Sequence, residues 1–95
     1  MMMVWDERKR QGNLEKHGLD FVDAWLVLTN RYRLEFQAVR NGQMRYQTFA
    51  YVAEVLTVLT VVWVPGSKPR IISFRRAHRY EREAYYDWLE KEFEE

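Results

Sequence analysis

Apolar and polar positions along these 95 residues follow a helical period first, an alternating one next, and a helical one again at the end. Residues 2–5 read as a short first strand. Asp6 then stands where a carboxylate accepts the free amides of a first helical turn, and Gly18 where a left-handed residue closes the last one. A helix is therefore predicted over 7–17, mostly polar, with Leu14 as its main apolar anchor. Asp20, with Asp23 three positions on, marks the start of a second helix over 20–29. Its Phe21, Ala24, Trp25 and Leu28 follow the i, i+3, i+4, i+7 spacing of one buried face.

From residue 31 the period becomes two. Tyr32, Leu34, Phe36 and Ala38 alternate with Arg31, Arg33, Glu35 and Gln37, the pattern of a half-buried strand. Asn41-Gly42 is a hairpin signal, because both residues tolerate the positive φ of a tight turn. On the returning strand Met44, Tyr46, Thr48 and Ala50 share one face, and Arg45, Gln47, Phe49 and Tyr51 the other. Residues 55–64 are β-branched and continuously apolar, which predicts a central strand buried on both faces. Pro65-Gly66-Ser67 turns the chain into a further strand over 70–74, where alternation sends Ile71, Ser73 and Arg75 to one side and Ile72 and Phe74 to the other. A closing helix over 76–93 is expected to bury Ala77, Tyr80, Ala84 and Trp88. The order β-α-α-β-β-β-β-α, with helices set apart from hairpin-linked strands, predicts an α+β fold in which a mainly antiparallel sheet packs against helices. One domain spanning residues 1–95 is expected, near the lower limit for a self-sufficient core.

The chain has no cysteine, which removes disulfides, thiolate nucleophiles and thiolate zinc sites. Two histidines without matched carboxylate spacing do not make a metal site, and neither a metal nor another cofactor is expected. No targeting segment is visible and the longest apolar run is too short to cross a bilayer, so a cytoplasmic location and no membrane partner are expected. The net charge of +1 hides an asymmetry: residues 1–82 carry fourteen Lys and Arg against eight Asp and Glu. A basic body with an acidic end directs the search to an anionic partner.

The closing helix sharpens that search. Arg76, Arg79 and Arg82 stand in its expected first turns and Glu90, Glu92 and Glu94 at its end, against the macrodipole at both ends. Guanidinium groups beside a helix N-terminus hold a phosphate well, and Arg75 and Arg76 are the foremost phosphate contacts. The competing reading pairs Glu81 and Glu83 with the arginines of this helix, and Arg75 and Arg76 with Asp6 or Glu7. His17 ends the first helix, where the dipole favours its imidazolium, in a capping or a proton-transfer role. His78 reads as surface. Among the aromatic residues of this helix, Tyr85 or Tyr86 is expected to be the less buried.

Two segments carry a resemblance. Trp5, Asp6, Lys9, Asn13, Lys16, His17, Gly18, Leu19 and Phe21 make up the opening pattern of the BrnT family, the toxin half of BrnT–BrnA type II toxin–antitoxin systems. Arg70, Ile71, Ile72, Ser73, Arg75, Arg76, Ala77, Glu81, Arg82 and Tyr85 make up its closing pattern. The middle departs: Gln43 stands where the family commonly has an acid, and Phe49-Ala50-Tyr51 where a glycine is usual. The resemblance implies a RelE-like fold and an endoribonuclease toxin that needs no metal. It also implies a BrnA-like antitoxin that silences the toxin, in an assembly such as a heterotetramer. Cleavage without metal requires a base for the 2′-hydroxyl, cations for the phosphate and an acid for the leaving oxygen. Arg75, Arg76, His17 and Lys16 are the catalytic candidates. Lys9, Arg45, Arg70 and Arg79 are the RNA-binding candidates, Lys9 and Lys16 on their place in the family pattern. The alternative is a catalytically weak binding module acting through complex formation and operon autoregulation. A DNA-binding domain alone lacks a helix-turn-helix signal.

Overall fold

The computed structural model describes residues 1–93 and has nine elements in chain order. They are β1 (Val4–Trp5), α1 (Glu7–His17), a 3₁₀ turn (Phe21–Asp23), α2 (Trp25–Leu28), β2 (Leu34–Arg40), β3 (Gln43–Val52), β4 (Thr57–Val64), β5 (Arg70–Arg76) and α3 (Arg79–Glu92). Glu94 and Glu95, part of the acidic end, lie outside the described residues. The five strands form one mixed sheet in the order β1-β5-β4-β3-β2. β1 runs parallel to β5 and every other pairing is antiparallel. The fold is α+β in the expected element order, and β4 is the middle strand.

Local chemistry explains much of this. The Asp6 carboxylate accepts the amides of Arg8 and Lys9 at 2.9 and 3.1 Å. Gly18 closes α1 at φ 69°, with its N–H on the Leu14 carbonyl. Asn41 and Gly42 both take positive φ and join β2 to β3 in register, Arg40 opposite Gln43. β4 sends Leu59 and Val61 into a core with Phe21, Ala24, Val27, Leu28, Ala50 and Phe74, and Val58 into a second core with Phe49, Ala77 and Tyr85. Its strand pairing starts at Thr57 rather than 55, because Leu56 turns the chain at φ 57°.

Several expectations change for physical reasons. The predicted second helix forms as a 3₁₀ turn and a single α turn, so the buried positions become Phe21, Ala24, Val27 and Leu28. Its first three, Phe21, Ala24 and Val27, keep the three-residue period of the tighter helix, and Trp25 is 46% exposed instead. Leu14 is also exposed; the buried side chain of α1 is Asn13. β2 is an edge strand on which Phe36 and Ala38 are exposed, as is Tyr32 just before it, leaving Leu34 alone half-buried. β5 carries a bulge: Val62 faces Ser73 and Trp63 faces Ile71, so Ile72 is unpaired on β4. The extra residue returns Ile71 to the same core face as Phe74. β5 also runs on through Arg76, held by Leu59 and by the Ala77 amide on the Val58 carbonyl. α3 therefore starts at Arg79, three residues later than expected. Its buried residues become Tyr85 with half-buried Trp88 and Leu89, while Tyr80 is 69% exposed and Ala84 faces solvent. Tyr85 is the buried one of the two adjacent tyrosines, its hydroxyl donating to the Tyr32 carbonyl at 2.6 Å.

Asn13 ties the first helix to the sheet. Its Nδ2 donates to the Leu19 and Phe74 carbonyls at 3.0 and 2.7 Å, and its Oδ1 accepts the Phe74 N–H at 3.1 Å. Arg10 adds a bidentate pair to Asp20 at 2.8 and 2.9 Å, fixing the turn that follows α1. Replacing Asn13 with Ala strands buried backbone groups of Phe74 and is expected to cost about 2–4 kcal/mol. Asn13→Asp, which turns a donor into an acceptor against two carbonyls, is expected to cost at least as much, both read from urea unfolding curves.

Candidate functional site

β5 delivers Arg75 and Arg76 to the end of the sheet where α1 finishes and α3 begins. Alternation sends the two side chains apart. Arg76 crosses toward α1 and donates Nη1 to the His17 carbonyl at 3.1 Å, filling one of the acceptors a helix C-terminus leaves open. Arg75 points toward α3, where its two Nη atoms meet Oε1 and Oε2 of Glu81 at 2.7 and 3.0 Å. The Glu81 side chain is 8% exposed and the Arg75 side chain 23%. Glu81 Oε1 also accepts the His78 N–H at 2.7 Å, capping α3. One carboxylate thus fastens the strand end to the helix start.

Four of the sequence candidates, Lys16, His17, Arg75 and Arg76, lie at this end of the sheet, and the direct contact among them is that of Arg76 with the His17 carbonyl. Lys16 is exposed, and Lys16 and Arg75 are near enough to His17 to act on its charge. The His17 imidazole is held below the ordinary histidine range, chiefly by burial and then by the positive charges of Lys16 and Arg75. That corrects the expectation that the helix dipole favours the imidazolium. Its consequence is a neutral ring at neutral pH, with a lone pair free to take a proton.

The other candidates sit elsewhere. Lys9 lies seven residues before Lys16, two turns along the same face of α1, and is exposed. Arg79 pairs with Glu83 at 3.0 Å on a largely exposed part of α3. Arg70 begins β5, roughly 20 Å of strand from Arg76 and opposite Val64. Arg45 is on β3 with Nε on Gln43 Oε1 at 3.3 Å, beside Arg40 and Tyr46. Asp6 and Glu7 do not pair with Arg75 or Arg76: Asp6 caps α1, and Glu7 binds Arg10 and the Trp5 indole. The dipole argument changes too, since Glu81 occupies the first turn of α3, Arg82 bonds the Ala77 carbonyl, and Lys91 near the end pairs with Asp87.

Sequence reasoning pairs Glu81 with the arginines of its own helix, whereas the structure gives it to Arg75 on β5. Its signal is present, an acid three positions after the helix N-cap, but its use by Arg75 needs the strand end in place. A larger cavity of about 470 Å³ lies at the far end of α3 among Tyr32, Tyr51, Tyr86, Leu89 and Glu54, with no cation in its wall. Among the described residues no group of three or more His, Cys, Asp or Glu is arranged to hold a metal ion, and no helix is long and apolar enough to cross a membrane.

Burial opposes the charge of Glu81, but the hydrogen bonds from Arg75 and the His78 amide, with the charges of Arg75 and His78, outweigh it and hold the carboxyl below its usual range. A carboxyl whose folded pKa is depressed stabilises above its unfolded value and loses that contribution as pH falls through the folded one. Stability is therefore expected to decline below pH about 4.3, and Glu81→Gln to flatten the part of that decline due to this group. Glu81→Ala, which leaves the half-buried Arg75 unpaired, is expected to cost about 2–3 kcal/mol at neutral pH, measured by urea unfolding across a pH series.

No curated protein matches the chain. The model of one family does, over residues 5–81, and its description reads "Ribonuclease toxin, BrnT, of type II toxin-antitoxin system". That span takes in α1, all of the sheet but Val4, and Arg75, Arg76 and Glu81, so the chain belongs to the BrnT family of ribonuclease toxins, whose type II systems pair each toxin with an antitoxin.

Proposed function

We propose that this chain is a metal-independent endoribonuclease of RelE-like fold that is silenced by a BrnA-like antitoxin. The observation that carries the reading is the meeting of His17, held neutral at neutral pH, with Lys16, Arg75 and Arg76 at one end of the sheet. In this mechanism His17 takes the proton of an RNA 2′-hydroxyl, whose oxygen attacks the adjacent phosphorus. Lys16 and the two arginines oppose the charge that builds on the phosphoryl oxygens. The imidazolium formed at His17 then holds a proton for the leaving 5′-oxygen, and the chain is cut to a 2′,3′-cyclic phosphate and a 5′-hydroxyl. Glu81 keeps Arg75 in place through both of its nitrogens. Lys9, on the Lys16 face of α1, extends the cationic surface along the RNA, while Arg79 flanks it and Arg45 and Arg70 belong to more distant contacts.

One observation favours the other reading, a weakly catalytic binding module that acts through complex formation and operon autoregulation. The Arg75 fork is already filled by Glu81, so a phosphate must share it or displace the carboxylate. Cleavage of RNA by the purified protein separates the two. Arg75→Ala and Arg76→Ala are each expected to lower the rate at least about tenfold, roughly 1.4 kcal/mol of transition-state stabilisation, with an unchanged circular dichroism spectrum. Chelators are expected to leave the rate unchanged. The acidic limb of the pH–rate profile is expected to lie below pH about 6.5 and to vanish in His17→Ala. Full activity in both arginine variants, or loss of activity with chelator, refutes this mechanism.

The antitoxin is expected to cover the cations around Arg75, Arg76 and Arg79, and to extend toward Arg70, with an acidic or amphipathic segment. β2 gives it a second hold. Its seven residues form the outer edge of the sheet, and pairing there is by backbone rather than by side-chain identity. Association is expected to be steered by charge, its on-rate falling several-fold between low and physiological salt. A salt-independent on-rate would remove the cationic surface from the interface.

A further inference from the structure

Between α3 and the part of the sheet that α3 leaves uncovered runs a groove of about 290 Å³, lined by Leu34, Phe36, Gln47, Phe49, Tyr80 and Glu81. We propose that this groove is a subsite for one unpaired nucleobase of the RNA, next to the phosphate held at Arg75. The inference rests on the ribonuclease reading and names a part of the substrate site that the reading leaves open.

Three observations point to a base. The first is the walls. Tyr80 on α3 and Phe36 on β2 are 69% and 54% exposed, two aromatic faces from different elements lining the same opening. Phe36 is braced edge-on by Phe49 at 6.1 Å, which presents it without letting it collapse into the core. Aromatic faces in this setting stack on bases of single-stranded RNA.

The second is the polar group among them. Gln47 spends one N–H on the Thr60 hydroxyl at 3.2 Å. Among the described residues its other N–H and its carbonyl oxygen make no hydrogen bond, and together they form the adjacent donor and acceptor that read a base edge. An aliphatic side chain seated here would strand that amide away from water, at a cost a base avoids. The third is position. Glu81 lines the groove and grips Arg75 with the same carboxylate, so base and phosphate sites are joined through one residue. Its negative charge is already matched by Arg75, leaving nothing in the wall to repel the sugar–phosphate chain.

Sequencing the cut ends of a long single-stranded RNA, together with cleavage rates, tests this. The wild-type protein is expected to favour one base beside the cut, and Gln47→Leu to flatten that preference. Tyr80→Ala and Phe36→Ala are each expected to slow cleavage about tenfold, and Tyr80→Phe and Phe36→Tyr, which keep the stacking face, to restore it to within about twofold. Val39→Ala, an exposed apolar residue on the other face of β2, controls for general loss of surface apolar area, and circular dichroism confirms folding. Wild-type cleavage with the same rates and base profile in all the groove variants overturns the subsite alone. Variants that cut normally but no longer bind the antitoxin also overturn it, and assign the groove to the partner. A folded wild-type protein that neither binds nor cuts RNA overturns the subsite and the ribonuclease reading together.

Discussion

A single amide side chain holds the two halves of this molecule in register. β1 covers β5 only at Arg70 and Ile71, so the backbone of Phe74 has β4 on one side and no strand on the other. Asn13 takes the place of that missing strand, accepting the Phe74 N–H and donating to its carbonyl. Its second N–H holds Leu19, the first residue past the turn at Gly18. A side chain with both a donor and an acceptor in one plane is needed, and at this length only Asn offers them. The position of α1, the exit from α1 and the outer edge of β5 are all decided at that point.

The candidate chemistry inherits its geometry from this tie. With Asn13 anchored on Phe74, the last turn of α1 comes alongside the end of β5, and His17 and Lys16 are carried to Arg75 and Arg76. Arg76 closes the arrangement from the other side by binding the His17 carbonyl. Glu81 performs the matching task for α3, so that one strand end is clasped by two helices through two different arginines. Electrostatic sites depend on such prior fixing, since a charge that must reorganise during reaction gives back part of its stabilisation.

What could be read from the sequence was local in origin. The caps at Asp6 and Gly18, the Asn41-Gly42 hairpin, the alternation of β3 and the β-branched run of β4 each depend on neighbours a few residues away, and each stands in the structure. The short turns after Asp20 were hidden because a three-residue and a four-residue period look alike over nine positions. The bulge at Ile72 was hidden because strict alternation reads equally well in either phase. Asn13 and Glu81 have local signals only as a polar residue in a polar helix and as a capping acid; their partners stand 61 and six residues away, on β5. Lys16, His17, Arg75 and Arg76 were nameable because of the segments they occupy, but their meeting depends on contacts that no window of sequence contains.

The bulge also decides where this chain tolerates a change of length. Between Ile71 and Phe74 the two anchored residues face the same core only because one residue between them has no partner. Losing one residue between them would leave the two positions two apart on a regular strand and still facing one core, since side-chain direction in a strand has a period of two. The Pro65–Lys68 connection carries no such phase, and a residue gained or lost there is absorbed by the turn. Relatives of this chain that lack the bulge are thus expected to be one residue shorter between Ile71 and Phe74 with both core positions kept, and to vary freely in length just before them.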